Sequence, residues 1–111
     1  IVGASNRAPF SKKLKRLAWF DSHIPKGNKK PPFVVGQLMA NDGGFHDMHG
    51  NVGEWCLTVS SLPQLNNSRA VVRGGSFASP YARCRSSARD DSLNPKEVYS
   101  TVGFRMIAVP R

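Results

Sequence analysis

Two carboxylates and a carboxamide, those of Asp47, Asn51 and Glu54, fall within one short stretch that also holds Gly50 and Gly53. A hard cation such as calcium takes six to eight oxygens, from carboxylates and backbone carbonyls alike, and a loop that turns its carbonyls inward supplies both kinds. The same acids also serve as turn caps or as arginine partners, and spacing alone leaves that choice open. On an ideal helix Asp47 and Glu54 would share a face. Gly50 and Gly53 each cost about 1 kcal/mol in a helix interior, so an irregular loop is expected instead. His46 and His49 stand three residues apart, but no third ligand follows at a metal-binding spacing, and structural or surface roles are expected. Cys56 and Cys84 belong to no CxxC pair, so zinc has no support. The two thiols should lie close enough either to form one disulfide or to stay reduced, according to compartment. Ser76 and Ser79 lack a recognisable His-Asp partner arrangement. No phosphate loop or dinucleotide fingerprint is present.

Four blocks occur in order. The first runs Asn41-Asp42-Gly43-Gly44-Phe45-His46-Asp47-Met48-His49-Gly50-Asn51-Val52-Gly53-Glu54-Trp55-Cys56. The others are Val72-Arg73-Gly74-Gly75-Ser76-Phe77, Cys84-Arg85-Ser86-Ser87-Ala88-Arg89 and Gly103-Phe104-Arg105. Together they resemble the formylglycine-generating, sulfatase-modifying factor family, whose pattern is a Gly-Leu-Tyr-Asp-Met-x-Gly-Asn-Val-x-Glu-Trp run, then Arg-Gly-Gly-Ser, then Arg-Ser-Ala-x-Arg, then Gly-Phe-Arg. The segments Ala18-Trp19-Phe20 and Val35-Gly36-Gln37 are similar to family segments as well. The resemblance implies an α+β, loop-rich domain with the C-type-lectin-like fold. It also implies that this chain is the C-terminal part of a domain about twice as long, given ordinary domain sizes. Residues 1–32 would then be a basic helix and linker, and residues 33–111 the core that carries the blocks.

From the resemblance follows a calcium ion held by the Asp47 and Glu54 side chains and the Gly50 and Val52 carbonyls. The oxidising members of the family carry two copper-binding cysteines shortly after the Arg-Gly-Gly-Ser block. Here Ser79 stands where the first would be, and nothing matches the second. Cys84 aligns with a structural cysteine. Copper(I) prefers thiolates, which a hydroxyl does not replace, so copper is not expected. The loops between Gly75 and Gly103 form the expected binding surface, with Ser79, Tyr81, Arg83, Arg85 and Arg89.

The elements that must position these residues are few. Phe10, Leu14, Leu17 and Ala18 form one apolar stripe at helical spacing, which predicts a helix over 10–21 with Ser11 near its start as a cap. Lys12, Lys13, Lys15 and Arg16 fill its other face. Residues 25–32, with Pro25, Gly27, Asn28, Pro31 and Pro32, read as a loop. Short strands are expected at 33–35, 70–73 and 102–109, and residues 41–53 as a long ordered loop. Residues 60–68 and 90–97 are polar and rich in turn formers. Gly74-Gly75, closing the second strand, predicts positive φ or a close backbone approach. Arg73, Arg85, Arg89 and Arg105 are expected to pair with carboxylates or carbonyls, and Trp55 to be core.

The chain has 111 residues and a formal charge of +9. Eight basic side chains and one acid fall in residues 1–30, so the excess belongs to that segment. A solvated helix face is expected there ahead of attraction to nucleic acid or an anionic surface. No apolar run approaches the roughly 20 residues of a membrane helix, and a soluble protein is expected. The chain begins with Ile1 and has no signal-like segment, as a processed product or fragment would. Three functions remain open. The first is a non-catalytic binding, scaffold or regulatory domain whose ligand is a protein or small molecule. The second is part of an active family oxidoreductase completed by the missing N-terminal half or another chain. The third is a salt-sensitive nucleic-acid or membrane-surface binder.

Overall fold

The computed structural model describes residues 8–27, 29–56 and 70–111. Asn28 and the whole polar stretch 60–68 lie outside the described residues, as do the side chains of Phe10 and Ser11. Helix α1 spans Ala8–Leu17. It ends earlier than the apolar stripe, because the chain peels away at Trp19 to form a parallel bridge with Gly50. His23 Nδ1 donates to the Ala18 carbonyl at 2.9 Å, satisfying an acceptor that the helix end leaves open. Leu14 and Ala18 are fully buried, while Lys12, Lys13, Lys15 and Arg16 are exposed, so the stripe reads correctly where side chains are described.

Three short strands make one sheet in the order β2-β1-β3. The central strand β1 is Gly53–Cys56. It pairs antiparallel with β2, Val71–Arg73, in the register Glu54 to Arg73, Trp55 to Val72 and Cys56 to Val71. It pairs parallel with β3, Val102–Gly103. A 3-10 turn at Tyr81–Cys84 completes the regular structure of the described residues. The core gathers Leu14, Ala18, Phe20 and Cys84, with Leu17 and Tyr81 packed against it. The helix and the motif-bearing segment thus share one apolar cluster.

Two predicted strands are absent or shortened. Phe33 is buried but not in a ladder: Asn51 Oδ1 accepts from its N–H at 2.8 Å and Asn51 Nδ2 donates to its carbonyl at 3.0 Å. The carboxamide takes both groups that a neighbouring strand would have paired. Gly36 N–H then donates to Asp47 Oδ2 at 2.7 Å, and Val34 and Val35 stay exposed. The strand expected over 102–109 stops at Gly103, and Phe104, Met106, Ile107 and Val109 are all exposed. Conversely, β1 was hidden in the sequence. Its four residues include a glycine and a glutamate, both poor strand formers, and it exists because β2 and β3 flank it. Trp55 is half-buried beside Tyr99, not part of the core cluster.

Candidate functional site

The loop before β1 has an unusual backbone. Asp47 and Asn51 have φ of 55° and 61°, and Gly50 has 71°. Non-glycine residues seldom adopt this region, aspartate and asparagine being the usual exceptions. The loop is held from several sides. Asn51 N–H donates to the Trp19 carbonyl at 2.8 Å, Gly50 N–H to the Gly74 carbonyl at 2.7 Å, and Phe77 N–H to the Asn51 carbonyl at 2.8 Å. Gly74 and Gly75 have φ of 95° and 70°, as their position at a strand end predicts. A Cβ on Gly75 would fall 2.7 Å from Cys84 Sγ, so that glycine lets the loop close on the core thiol.

Asp47, Gly50, Val52 and Glu54 line one cleft of about 440 Å3, together with Val35, Gly36, Phe45, Phe104 and Arg105. Arg105 dominates its chemistry. Its guanidinium grips Glu54 through both carboxylate oxygens, with Nη2 at 2.8 Å from Oε1 and Nε at 3.0 Å from Oε2. Nη2 also donates to the carbonyls of His46 and Asp47, at 2.9 and 3.2 Å. The Glu54 hydrogen bonds raise the Arg105 pKa further above its ordinary range, against the opposing effect of burial. Asp47 Oδ1 is buried with no hydrogen-bond partner. An orphaned carboxylate oxygen beside a second carboxylate suits a hard cation, which would supply the missing partner. Asp47 Oδ1 is thus the oxygen left open to such an ion, while both Glu54 oxygens are held by Arg105.

A second cleft, of about 460 Å3, lies across β2 and the loops beyond it. Ser79, Arg83 and Arg89 of the predicted surface line it, joined by Asp90, Asp91 and Thr101, which spacing had not singled out. A bridge between Val72 and Asp90 folds the acidic pair back over β2, with bonds of 2.7 and 2.9 Å. Hydrogen bonds from the Ser92 hydroxyl and N–H hold the Asp90 carboxyl below its ordinary pKa. Two predicted residues lie outside this cleft. Tyr81 packs on the core, and Arg85 is half-buried with its Nε unpartnered. Arg73 donates to the Ser86 carbonyl at 3.0 Å, one of the expected arginine–carbonyl pairings.

The serines of this cleft are occupied with their own turn. Ser79 Oγ accepts from Ser76 N–H at 2.9 Å, and Ser76 Oγ accepts from Ala78 N–H at 3.1 Å. Cys56 and Cys84 are both free thiols. Cys84 is sealed in the core, where burial first and the Asp21 charge second push its thiol up to about 12. It is therefore protonated and unreactive at neutral pH. Cys56, at the end of β1, donates to the Glu54 carbonyl at 3.5 Å. His46 is exposed with Nδ1 against the Leu38 carbonyl, whereas His49 is buried with Nδ1 against the Cys84 carbonyl. Among the described residues no three His, Cys, Asp or Glu side chains gather as a metal cluster, and no helix is long and apolar enough to cross a membrane.

Comparison with known proteins agrees with the four blocks. A curated relative, "Chaperone protein LppX" of Paenibacillus barcinonensis, is 38% identical over 55 residues, which is 49% of this chain and 20% of that protein. Among solved structures, "Treponema denticola variable protein 1" superposes with a TM-score of 0.67 at 26% identity, covering 91% of this chain and 38% of the other. The chain thus spans well under half the length of either. The profile of the sulfatase-modifying factor enzyme 1-like domain matches residues 5–109. The chain belongs to that family, whose fold is C-type-lectin-like, and its single described helix and small sheet accord with that fold.

Proposed function

We propose that this chain is a non-catalytic, ligand-binding member of the family, with the cleft between β2 and residues 88–93 as its recognition surface. One observation carries the reading. Where the resemblance would put a copper-binding thiolate, the cleft has the Ser79 hydroxyl, and the nearby thiol of Cys84 is buried and protonated. Copper(I) needs thiolates, and disulfide exchange needs a nucleophilic sulfur. What the cleft offers is recognition chemistry: two arginines, two aspartates and hydroxyl groups around a cavity of ligand-binding size. The structural relative's name calls it a variable protein, which suits a scaffold that varies its surface. A copper(I) competition titration tests the reading. No stoichiometric binding is expected, and tight binding that disappears on Cys84→Ser would overturn it. A second reading rests on the length of the relatives. Two thiolates from outside this chain would restore an oxidoreductase, and a copper-binding longer protein would establish that.

The other half of the proposal is structural calcium at Asp47 and Glu54. The unpartnered Asp47 Oδ1 supports it. Bound there, the ion supplies positive charge to two neighbouring acids, while Arg105 orients Glu54 and Gly36 N–H fixes the other Asp47 oxygen. Binding to the folded state alone would stabilise it by about 2.7 kcal/mol at 100 times the dissociation constant. Thermal melting with calcium and with a chelator should differ in the wild type, and Glu54→Gln should lose most of the difference. Identical wild-type melting in both conditions would leave Asp47 as a turn cap and Glu54 as an arginine partner.

A further inference from the structure

A third cleft, of about 510 Å3, shares no lining residue with the candidate calcium site. It is lined by Lys13 and Arg16 of α1, by Asn41 and Asp42, by Ser86 and by His49. Lys13 and Arg16 are three apart on the helix, so both project from one face over the same opening. Against these two cations the lining has one acid, Asp42.

His49 gives this cleft its chemistry. Its Nδ1 contacts the Cys84 carbonyl, which can only accept, so Nδ1 carries the hydrogen. Nε2 has no hydrogen bond to any described residue, and it is not among the fully buried unpartnered atoms. His49 is itself part of the cleft lining, which makes Nε2 the atom of this ring left to meet a ligand there. With the hydrogen held on Nδ1 by the Cys84 carbonyl, Nε2 presents a lone pair. The opening thus sets two cations and a fixed acceptor around a wall that also includes Leu17, Met39 and Ala40. A plain anion would satisfy the cations and leave Nε2 unmet.

We propose that this cleft binds a small oxyanion that keeps an O–H donor beside its charge, with Lys13 and Arg16 holding the charge and His49 Nε2 accepting the O–H. Hydrogen phosphate and α-hydroxy carboxylates both have that chemistry. Sulfate and plain carboxylates have the charge without the donor. The acceptor therefore sets the specificity and the cations set the strength.

The experiment is a titration of the His49 ring signals by NMR at about pH 8, where an ordinary imidazole is neutral, at constant ionic strength. Two matched pairs of probes are used: inorganic phosphate against sulfate, and glycolate against acetate. Each pair keeps the anion and changes the donor, and the two pairs separate a phosphate site from a hydroxy-acid site. Saturable shifts are expected for at least one donor-bearing probe, which should bind about tenfold more tightly than its partner, the value of one well-made hydrogen bond. The double variant Lys13→Ala/Arg16→Ala, changed only at exposed positions, should weaken that binding about tenfold while leaving the His49 signals of the free protein in place. No saturable shift with any probe, equal affinity within both pairs, or unchanged binding in the double variant would overturn the proposal.

Discussion

Gly50→Ala isolates the contact that ties the motif loop to the end of the helix. A Cβ at this position would lie 2.2 Å from the Trp19 carbonyl oxygen and 2.9 Å from its carbonyl carbon. Backbone atoms cannot swing aside as a side-chain tip can, so the loop and the Trp19 segment must separate. Separation breaks the Asn51 N–H bond to the Trp19 carbonyl, at 2.8 Å, between groups that pack against each other. A broken bond that leaves a buried group unpaired costs about 1–3 kcal/mol. The φ of 71° adds about 1–2 kcal/mol for a residue with a Cβ. The expected loss is about 2–5 kcal/mol, a large part of the 5–15 kcal/mol typical of a domain. Gly44→Ala is the control. Its φ of 82° carries the same conformational penalty, but a Cβ there meets nothing within 4 Å. Urea unfolding of both variants, followed by tryptophan fluorescence, separates clash from strain. Gly44→Ala should lose about 1–2 kcal/mol and Gly50→Ala clearly more. Equal losses would refute the claim that the Trp19–Gly50 approach, more than the positive φ, is what requires glycine.

Three further outcomes are expected. Leu14→Ala, which empties a fully buried site against Phe20 and Cys84, should cost about 3–5 kcal/mol in the same urea assay. Arg105→Lys loses the two-point grip on Glu54 and the contacts to the His46 and Asp47 carbonyls; because the pair is partly exposed, about 1 kcal/mol is expected by differential thermal melting. Burial raises the Cys84 pKa from the ordinary thiol value of 9.0 to about 12. The folded state then holds this proton more tightly than the unfolded chain does, so its contribution is intact below about pH 9 and is lost as pH rises towards 12. The stability of Cys84→Ala should accordingly fall less than that of the wild type across that window, measured by urea unfolding at stepped pH.

Much was legible in the residues because local physics decides it. The stripe of Leu14, Leu17 and Ala18 spells a helix and its buried face, since 3.6-residue spacing leaves no other arrangement of those side chains. Gly74-Gly75 announced left-handed backbone, because other residues pay for it. The four blocks, in order, identified the family without any spatial information. Tertiary structure alone decided the rest. Phe33-Val34-Val35 has strand composition, yet the Asn51 carboxamide takes both Phe33 backbone groups, and no local rule places a side chain 18 residues away against them. Gly53–Cys56 has the opposite fate, becoming the central strand because β2 and β3 arrive on either side. Glu54 and Arg105 are 51 residues apart, and only the parallel pairing of β1 with β3 brings them together. The same holds for His49 and for the helix cations that share its cleft. Residue types determine what a group can donate, accept or ionise. Which groups face one another is set by the closure of the chain, because the energy of those contacts appears only once the loop entropy separating them has been overcome.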